Sequence, residues 1–164
     1  MKKIFLLIVL SLLIAPYLKV AAQQRNVILT EISYGSYKSE TVQKEAMPGS
    51  PTGDHSVVVN QVLVKKTDKI MAKIGAEFGT EYKLTGPGKD LATLEIEWIF
   101  PKEMVDAAKK TSYKSIRYPI DMQVNSVNAS TYTLENDFEV IKGTWQLNIY
   151  YNGKAIYSKK FELI

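Results

Sequence analysis

The sequence predicts an all-β protein, an immunoglobulin-like antiparallel β-sandwich of about eight strands with one short helix. Three observations lead to this expectation. Apolar and polar residues alternate with a period of two in several segments, which is typical of half-buried strands. Clusters of Gly, Pro, Asn and Asp separate these segments at short intervals, as in sandwiches. An Asn-Gly pair, Asn152-Gly153, lies between the last two alternating runs.

The clearest predicted strand is residues 91–100. Leu94, Ile96 and Trp98 fall on one face of an extended chain, and the acidic residues between them fall on the other. We therefore expect one face of this strand to pack in the core while the other face contacts water.

A second strong signal lies at the C-terminal end. Apolar residues alternate with Gln, Asn or Tyr from Trp145 to Tyr151, and a second run follows from Lys154 to Leu163. The intervening Asn152-Gly153 predicts a tight β-hairpin, because both central residues of a type I′ turn need a positive φ.

The other strands are expected from shorter apolar segments bounded by turn residues. They are predicted at residues 27–34, 56–65, 69–84, 115–120, 122–127 and 130–134. Gly35 is expected to end the first of them, and the Pro- and Gly-rich stretch 47–55 is expected to be a surface loop. Within the third, Gly75 and Gly79 indicate a bulge or a close approach of two backbones.

The one short helix is predicted directly after residues 91–100. Pro101 suits the first turn of a helix, and residues 102–110 follow it. Met104 and Ala108 would share one side of this helix, and lysines at its end would complement the helix dipole. We therefore expect a helix between two strands.

Residues 1–22 have the organisation of a cleaved secretory signal peptide. Two lysines precede an apolar run from Ile4 to Ile14, which is shorter than the about 20 residues that span a bilayer. Small residues favour cleavage after Ala22. We expect residues 23–164 to form a single domain, exported to the periplasm or the extracellular space, without an integral membrane segment.

Charge and cysteine content narrow the function classes. The chain has 21 basic and 17 acidic residues, and Lys2, Lys3 and Lys19 precede the expected cleavage site. The 18 basic residues that remain nearly balance the acids, so nucleic-acid binding, which needs a strongly basic domain, is not expected. The chain has no cysteine, which excludes disulfides, thiol catalysis and zinc–thiolate sites.

The single histidine is the first candidate for chemistry. His55 lies in the 47–55 stretch beside Asp54, and either Ser50 or Ser56 would be the nucleophile of a serine–histidine pair. Such pairs are recognised by the geometry of the serine and the histidine in the folded protein, and adjacency in the sequence does not establish that geometry. A solvated loop histidine is therefore the preferred interpretation, and no catalytic residue is assigned.

Two carboxylates form the second candidate. Glu95 and Glu97 share one face of a strand and lie about 7 Å apart by strand geometry, a separation used by glycosidase acid–base pairs. Both fall on the wet face of an amphipathic strand, where a substrate cleft is not expected. Two solvated acids are the preferred interpretation.

Metal and cofactor sites are not expected. Asn136, Asp137 and Glu139 lie close together, but their spacing does not match the twelve-residue calcium loop. The ten tyrosines are a further candidate, because exposed aromatic residues mark binding faces. Tyr150 should face outward by alternation. The competing interpretation is that tyrosine simply favours half-buried strand positions.

Several short motifs resemble a family of bacterial exported proteins catalogued as domain of unknown function 3859. The matching residues are Tyr34-Gly35-Ser36-Tyr37, Ile74-Gly75-Ala76-Glu77-Phe78-Gly79, Tyr82, Glu139, Gly143, Trp145 and Phe161. The resemblance spans residues 27–163, with a poor match at 102–130. It implies export and a compact β domain, and it implies no activity.

The matched positions also have structural interpretations. Trp145 and Phe161 are expected in the core between the two sheets. Glu139 would need hydrogen-bond partners if it is buried. We expect its carboxylate to accept hydrogen bonds from the loop backbone near Gly143.

Three hypotheses for function follow. The preferred one is an exported, non-catalytic binding or interaction module for an unknown protein or glycan, which requires an exposed contact surface. A glycan-acting enzyme that uses Glu95 and Glu97 or other surface acids would need a concave site with two convergent carboxylates. A structural or assembly protein that adds a strand to its partner would need an unprotected sheet edge.

Overall fold

A computed structural model describes residues 27–87, 91–106 and 110–164. These residues form nine strands and one short 3-10 turn. The strands are β1 (Ile28–Ala46), β2 (Asp54–Lys65), β3 (Lys69–Ile70), β4 (Glu77–Thr85), β5 (Leu91–Asp106), β6 (Thr111–Gln123), β7 (Val127–Thr133), β8 (Gly143–Tyr151) and β9 (Lys154–Leu163). The 3-10 turn is Asp137–Glu139 and connects β7 to β8.

The strands form two sheets, which confirms the predicted all-β sandwich. One sheet has the order β2-β1-β4-β7, and the other has the order β3-β9-β8-β5-β6. All pairs are antiparallel except the short pairing of β3 with β9. Among the described residues, no helix has the length and apolar character needed to cross a bilayer.

Aromatic side chains from both sheets fill the core. Phe78 on β4 lies edge-on to Trp98 and Trp145, with ring centroids 5.5 and 5.6 Å apart, and 5.4 Å from Phe161. All four side chains are fully buried. Edge-to-face pairs add about 0.5–1.5 kcal/mol each beyond area burial. The predicted core positions of Trp145 and Phe161 are thereby confirmed.

The predicted hairpin between β8 and β9 is also confirmed. Asn152 and Gly153 have φ values of 50° and 74°, as a type I′ turn requires. Tyr151 pairs with Lys154 across this turn.

The predicted helix after Pro101 is wrong for residues 102–106, which continue β5. Met104 and Asp106 are buried while Val105 between them is exposed, so the end of this segment alternates with a period of two. Pro101 is tolerated because the β5–β6 register shifts between Ile99 and Met104 and relieves the proline of a ladder hydrogen bond. The end of the predicted helix, residues 107–109, lies outside the described residues.

Two strand boundaries also differ from expectation. Residues 115–120 and 122–127 were expected as separate strands, whereas β6 runs unbroken to Gln123. β1 continues through Gly35 at a φ of 146°, because a Cβ there would lie 2.0 Å from the carbonyl oxygen of Lys65. This glycine therefore permits close approach instead of ending the strand.

The four-stranded sheet is strongly curled. β1 and β2 change register at three places along their hairpin. As a result, Gln61 Nε2 on β2 donates to Glu77 Oε1 on β4 at 2.8 Å and to Thr131 Oγ1 on β7 at 3.0 Å. β2 and β7 are opposite edges of this sheet, so the curl brings the two edges toward each other across its face.

A glycine makes room for this arrangement. Gly79 on β4 lies beside Thr131 on β7, and a Cβ at Gly79 would be 2.2 Å from the carbonyl oxygen of Ser130. The close backbone approach predicted at Gly79 is thus confirmed. Gly75 instead lies in the connection between β3 and β4, with a φ of 79°. The single strand predicted at residues 69–84 is therefore wrong, because β3 and β4 are separate strands in different sheets.

Candidate binding cleft

A cleft of about 110 Å³ lies where the curled sheet meets the other sheet. One wall is the tip of the β1–β2 hairpin, the second is the end of β7, and the third is β6, through Ile116 and Tyr118. We call this cavity the hairpin cleft. It joins three segments that are far apart in sequence.

The hairpin tip is held by its own hydrogen bonds. Met47 N donates to the carbonyl oxygen of Gly53 at 2.9 Å. Ser50 is buried; its Oγ accepts from Gly53 N at 2.8 Å and donates to the carbonyl oxygen of Asp54 at 3.0 Å. The loop predicted here from Pro and Gly is therefore present and ordered by its serine, although Asp54 and His55 already belong to β2.

His55 lines the cleft, but the predicted serines do not pair with it. Its Nε2 lies 3.7 Å from Glu45 Oε2. Ser56 Oγ donates to Glu135 Oε1 at 3.2 Å, and Ser50 Oγ donates to backbone. A serine nucleophile needs a hydrogen bond to its base, and neither hydroxyl makes one to His55 within the described part of the chain.

An ion pair links two carboxylates that line the cleft. Lys44 Nζ on β1 lies 2.6 Å from Glu135 Oε2 and 3.7 Å from Asp54 Oδ1. The hydrogen bond to Glu135 raises the pKa of Lys44. Because Lys44 and Glu135 are 91 positions apart, sequence reasoning missed both.

The floor of the cleft contains a buried carboxylate. Glu139 is 1% exposed and accepts four hydrogen bonds, from Tyr132 Oη at 2.7 Å, from the backbone N of Glu135 and Asn136 at 2.9 and 2.7 Å, and from Asn136 Nδ2 at 2.9 Å. The expectation that Glu139 binds loop backbone is confirmed. Its placement near Gly143 is wrong, since the donors come from the residues directly before the 3-10 turn.

Two tyrosine hydroxyls border the cleft. Burial, together with the neighbouring Glu139 carboxylate, raises the pKa of Tyr132. Burial also raises the pKa of Tyr118 to about 12. Both hydroxyls stay protonated at neutral pH, and Tyr132 donates its proton to Glu139.

Glu95 and Glu97 lie outside this cleft, on the outer face of the five-stranded sheet. Arg117 Nη2 donates to Glu95 Oε2 at 2.8 Å, and Tyr150 Oη donates to Glu97 Oε2 at 2.6 Å. Asn148 Nδ2 also donates to Glu97, at 2.9 Å. The two acids are held by polar neighbours across the strands and do not converge on the cleft.

The tyrosines in the described part of the chain do not form an exposed aromatic patch. All nine in the described residues are buried or half-buried. Tyr150 does face outward, but the Arg117 guanidinium lies 3.9 Å from its ring centroid. The interpretation of tyrosine as a half-buried strand residue is therefore favoured.

No group of three or more His, Asp or Glu side chains within the described ranges is arranged to hold a metal ion. Asn136, Asp137 and Glu139 instead form the turn described above, where Glu139 is occupied by its four donors.

A solved structure has a similar fold. The crystal structure of an immunoglobulin-like protein from Pseudomonas aeruginosa matches with a TM-score of 0.62 and 19% identity, over 87% of this chain and 99% of that one. An alkylpurine DNA glycosylase from Pseudomonas fluorescens matches with a TM-score of 0.33 and 11% identity, over 58% of this chain and 28% of that one, which is too loose to carry an argument.

The first similarity shows that the sandwich is immunoglobulin-like. No curated protein matches the chain. The model of the family described as domain of unknown function (DUF3859) matches residues 25–163, so the chain belongs to this family.

Proposed function

We propose that this protein is a non-catalytic binding module whose contact site is the hairpin cleft. The observation that carries the proposal is that polar side chains lining the cleft are hydrogen-bonded to neighbouring protein groups. Ser50, Ser56 and Glu139 are each engaged by neighbouring protein groups in roles that hold the walls together. A catalytic site needs a nucleophile or an acid–base pair directed at a substrate, whereas a binding site needs only a stable, concave surface.

We also propose that the domain acts outside the cytoplasm after export. The support is the arrangement of residues 1–22, which lie outside the described residues: two lysines, an apolar run and small residues before the expected cleavage site. The partner is a protein segment or a glycan of the cell envelope or its surroundings.

The test is a binding screen of residues 23–164. The immobilised domain is exposed to a glycan array, soluble peptidoglycan fragments and a peptide array, and hits are measured by calorimetry. Thr133→Tyr fills the cleft, since Thr133 lines it. Thr30→Tyr, on an exposed position of β1, is the matched control.

We expect Thr133→Tyr to weaken binding of a true ligand at least tenfold, about 1.4 kcal/mol, while Thr30→Tyr leaves binding unchanged. Both variants should retain the circular dichroism spectrum of the native domain. Ligands that bind the two variants equally well would show that the cleft is not the contact site.

Strand addition is the second candidate function. β2 and β7 each have one edge that pairs with no strand of the described residues. Unpaired edges are templates for an incoming strand.

A further inference from the structure

We propose that the hairpin cleft binds an extended polypeptide segment, which pairs with the free edge of β7 and places a basic side chain beside Asp54 and Glu135. This inference rests on the proposed function and names the class of ligand. It is carried by the orientation of β7, the size of the cleft and the charges on its walls.

The cleft borders the edge of β7 and not merely one of its faces. Thr131, Tyr132 and Thr133 all line it. Successive side chains of a strand point to opposite faces, so a cavity that touches three residues in a row must run along the strand edge. β7 pairs with β4 on its other edge, and no further strand of the described ranges covers this one.

The ladder alternation shows which backbone groups face the cleft. Leu134 N donates to the carbonyl oxygen of Ala76 at 3.0 Å, so even-numbered positions form the bonds to the β4 side. In an antiparallel pair, residues that bond to the neighbouring strand alternate with residues whose N–H and C=O point away from that strand. Thr131 and Thr133 therefore direct their backbone groups to the free edge.

The position of Gly79 supports this assignment. A Cβ on Gly79 would lie 2.6 Å from Thr131 Cα. Residues opposite each other approach most closely in the pairs that exchange no hydrogen bonds. Thr131 is thus in such a pair, and its backbone N–H and C=O point away from β4, toward the edge that a ligand would meet.

The size of the cleft favours a side chain over a whole small molecule. Its volume of about 110 Å³ is well below the roughly 300–1,000 Å³ of small-molecule sites. In strand addition the backbone supplies hydrogen bonds, and small pockets accept alternate side chains. The free edge of β7 beside one small cavity matches this way of binding a peptide.

The charges on the walls select a cation. Asp54 and Glu135 line the cleft, and their carboxylates share Lys44, whose side chain is 47% exposed. Glu139 adds a third carboxylate at the floor. A guanidinium or ammonium group on the ligand would replace or join Lys44 as the partner of Glu135.

The probes are four acetylated and amidated peptides as long as the seven-residue β7. Threonine and valine alternate around a central Arg, Lys, Gln or Glu. Binding is followed by amide chemical shifts of isotope-labelled residues 23–164, titrated to millimolar peptide. We expect the Arg peptide to shift the amides of Thr131 and Thr133 and to bind about tenfold more tightly than the Glu peptide.

Four controls, one modified peptide and three protein variants, separate the parts of the proposal. An Arg peptide N-methylated at alternate residues cannot pair as a strand and should lose binding. Glu135→Gln should reduce the preference for Arg over Gln, and Lys44→Met should increase it. Thr133→Tyr should abolish the shifts.

The outcomes distinguish this inference from the proposed function. Equal binding of N-methylated and unmodified peptides would overturn strand pairing. If no peptide shifts Thr131 or Thr133 while a glycan hit is lost in Thr133→Tyr, the polypeptide inference is wrong and the binding function stands. If no peptide binds and no ligand of any class is sensitive to Thr133→Tyr, both are wrong.

Discussion

The hydroxyl of Tyr132 donates a hydrogen bond to Glu139 Oε1 at 2.7 Å, joining β7 to the 3-10 turn beneath the cleft. Both residues are buried, at 9% and 1% exposure. Three further donors satisfy the other carboxylate oxygen. This carboxylate organises the segment between β7 and β8, so its removal should affect stability before it affects binding.

Glu139→Gln should lower the free energy of unfolding by about 1–2 kcal/mol, because the hydrogen bonds lose their charge assistance while the shape is kept. Glu139→Ala should cost about 3–5 kcal/mol, since four donors lose their acceptor. Urea unfolding measures both values. Glu40→Gln, at an exposed position, is the control and should stay within about 0.5 kcal/mol of the native domain. An unchanged Glu139→Ala midpoint would contradict the assigned role.

Stability should fall at alkaline pH because of buried tyrosines. Burial raises the pKa of Tyr82 from 10.0 to about 12. Below pH 10 the Tyr82 hydroxyl is protonated in both the folded and the unfolded protein, so the free energy of unfolding keeps its full value. As the pH rises from about 10 toward 12 the unfolded chain releases it first, so the free energy of unfolding decreases by about 1.4 kcal/mol per pH unit for each such group.

Urea titrations at stepped pH measure this slope. Tyr82→Phe removes one of the groups and should reduce the slope by about 1.4 kcal/mol per pH unit. At neutral pH the same change should cost only about 1 kcal/mol, for the lost hydrogen bond to Ser130. If the free energy of unfolding falls with pH equally steeply in Tyr82→Phe and in the native domain, this prediction is wrong.

Gly79→Ala should disrupt the contact of β4 with β7. The added Cβ would lie 2.2 Å from the carbonyl oxygen of Ser130, and backbone cannot yield as a side-chain end does. We expect a loss of about 3 kcal/mol, at the upper end for overpacking. Gly153→Ala is the control: it meets no atom within 4 Å, has a φ of 74°, and should cost only about 1–2 kcal/mol. Equal losses in thermal denaturation would show that β7 can move away freely.

Signal cleavage should depend on the residue at position 22. Expression of the full chain in a Gram-negative host should release a protein that begins at Gln23, as intact-mass spectrometry would show. Ala22→Arg should leave the chain uncut, because the peptidase accepts small residues at that position. Ala21→Arg, at the tolerant position beside it, should still be cut. Cleavage of Ala22→Arg at the same bond would refute the predicted site.

The fold class was predictable because its determinants are local. A period of two buries one face of a strand whatever its neighbours are, so residues such as Leu94 and Trp98 were recognisable as core. The turn at Asn152-Gly153 was predictable for a similar reason, since few other residue pairs tolerate two positive φ values.

The cleft was not predictable, because it depends on contacts between distant segments. Lys44 and Glu135 look like ordinary charged surface residues in sequence, and only the curl of β1 and β2 brings them together. Pro101 likewise matched the start of a helix. The burial of Met104 in the aromatic core decided for a strand, because tertiary packing outweighs a weak helical preference.

The amino-acid sequence by itself determined that this chain is a β-sandwich and which side chains fill it, since alternation and turn chemistry act within a few residues. Only the tertiary structure decided where the register shifts fall, how far the four-stranded sheet curls, and that β2, β6 and β7 enclose one cleft. The physical reason is that the curl depends on the combined packing of both sheets. No single segment of the sequence contains enough information to predict that packing.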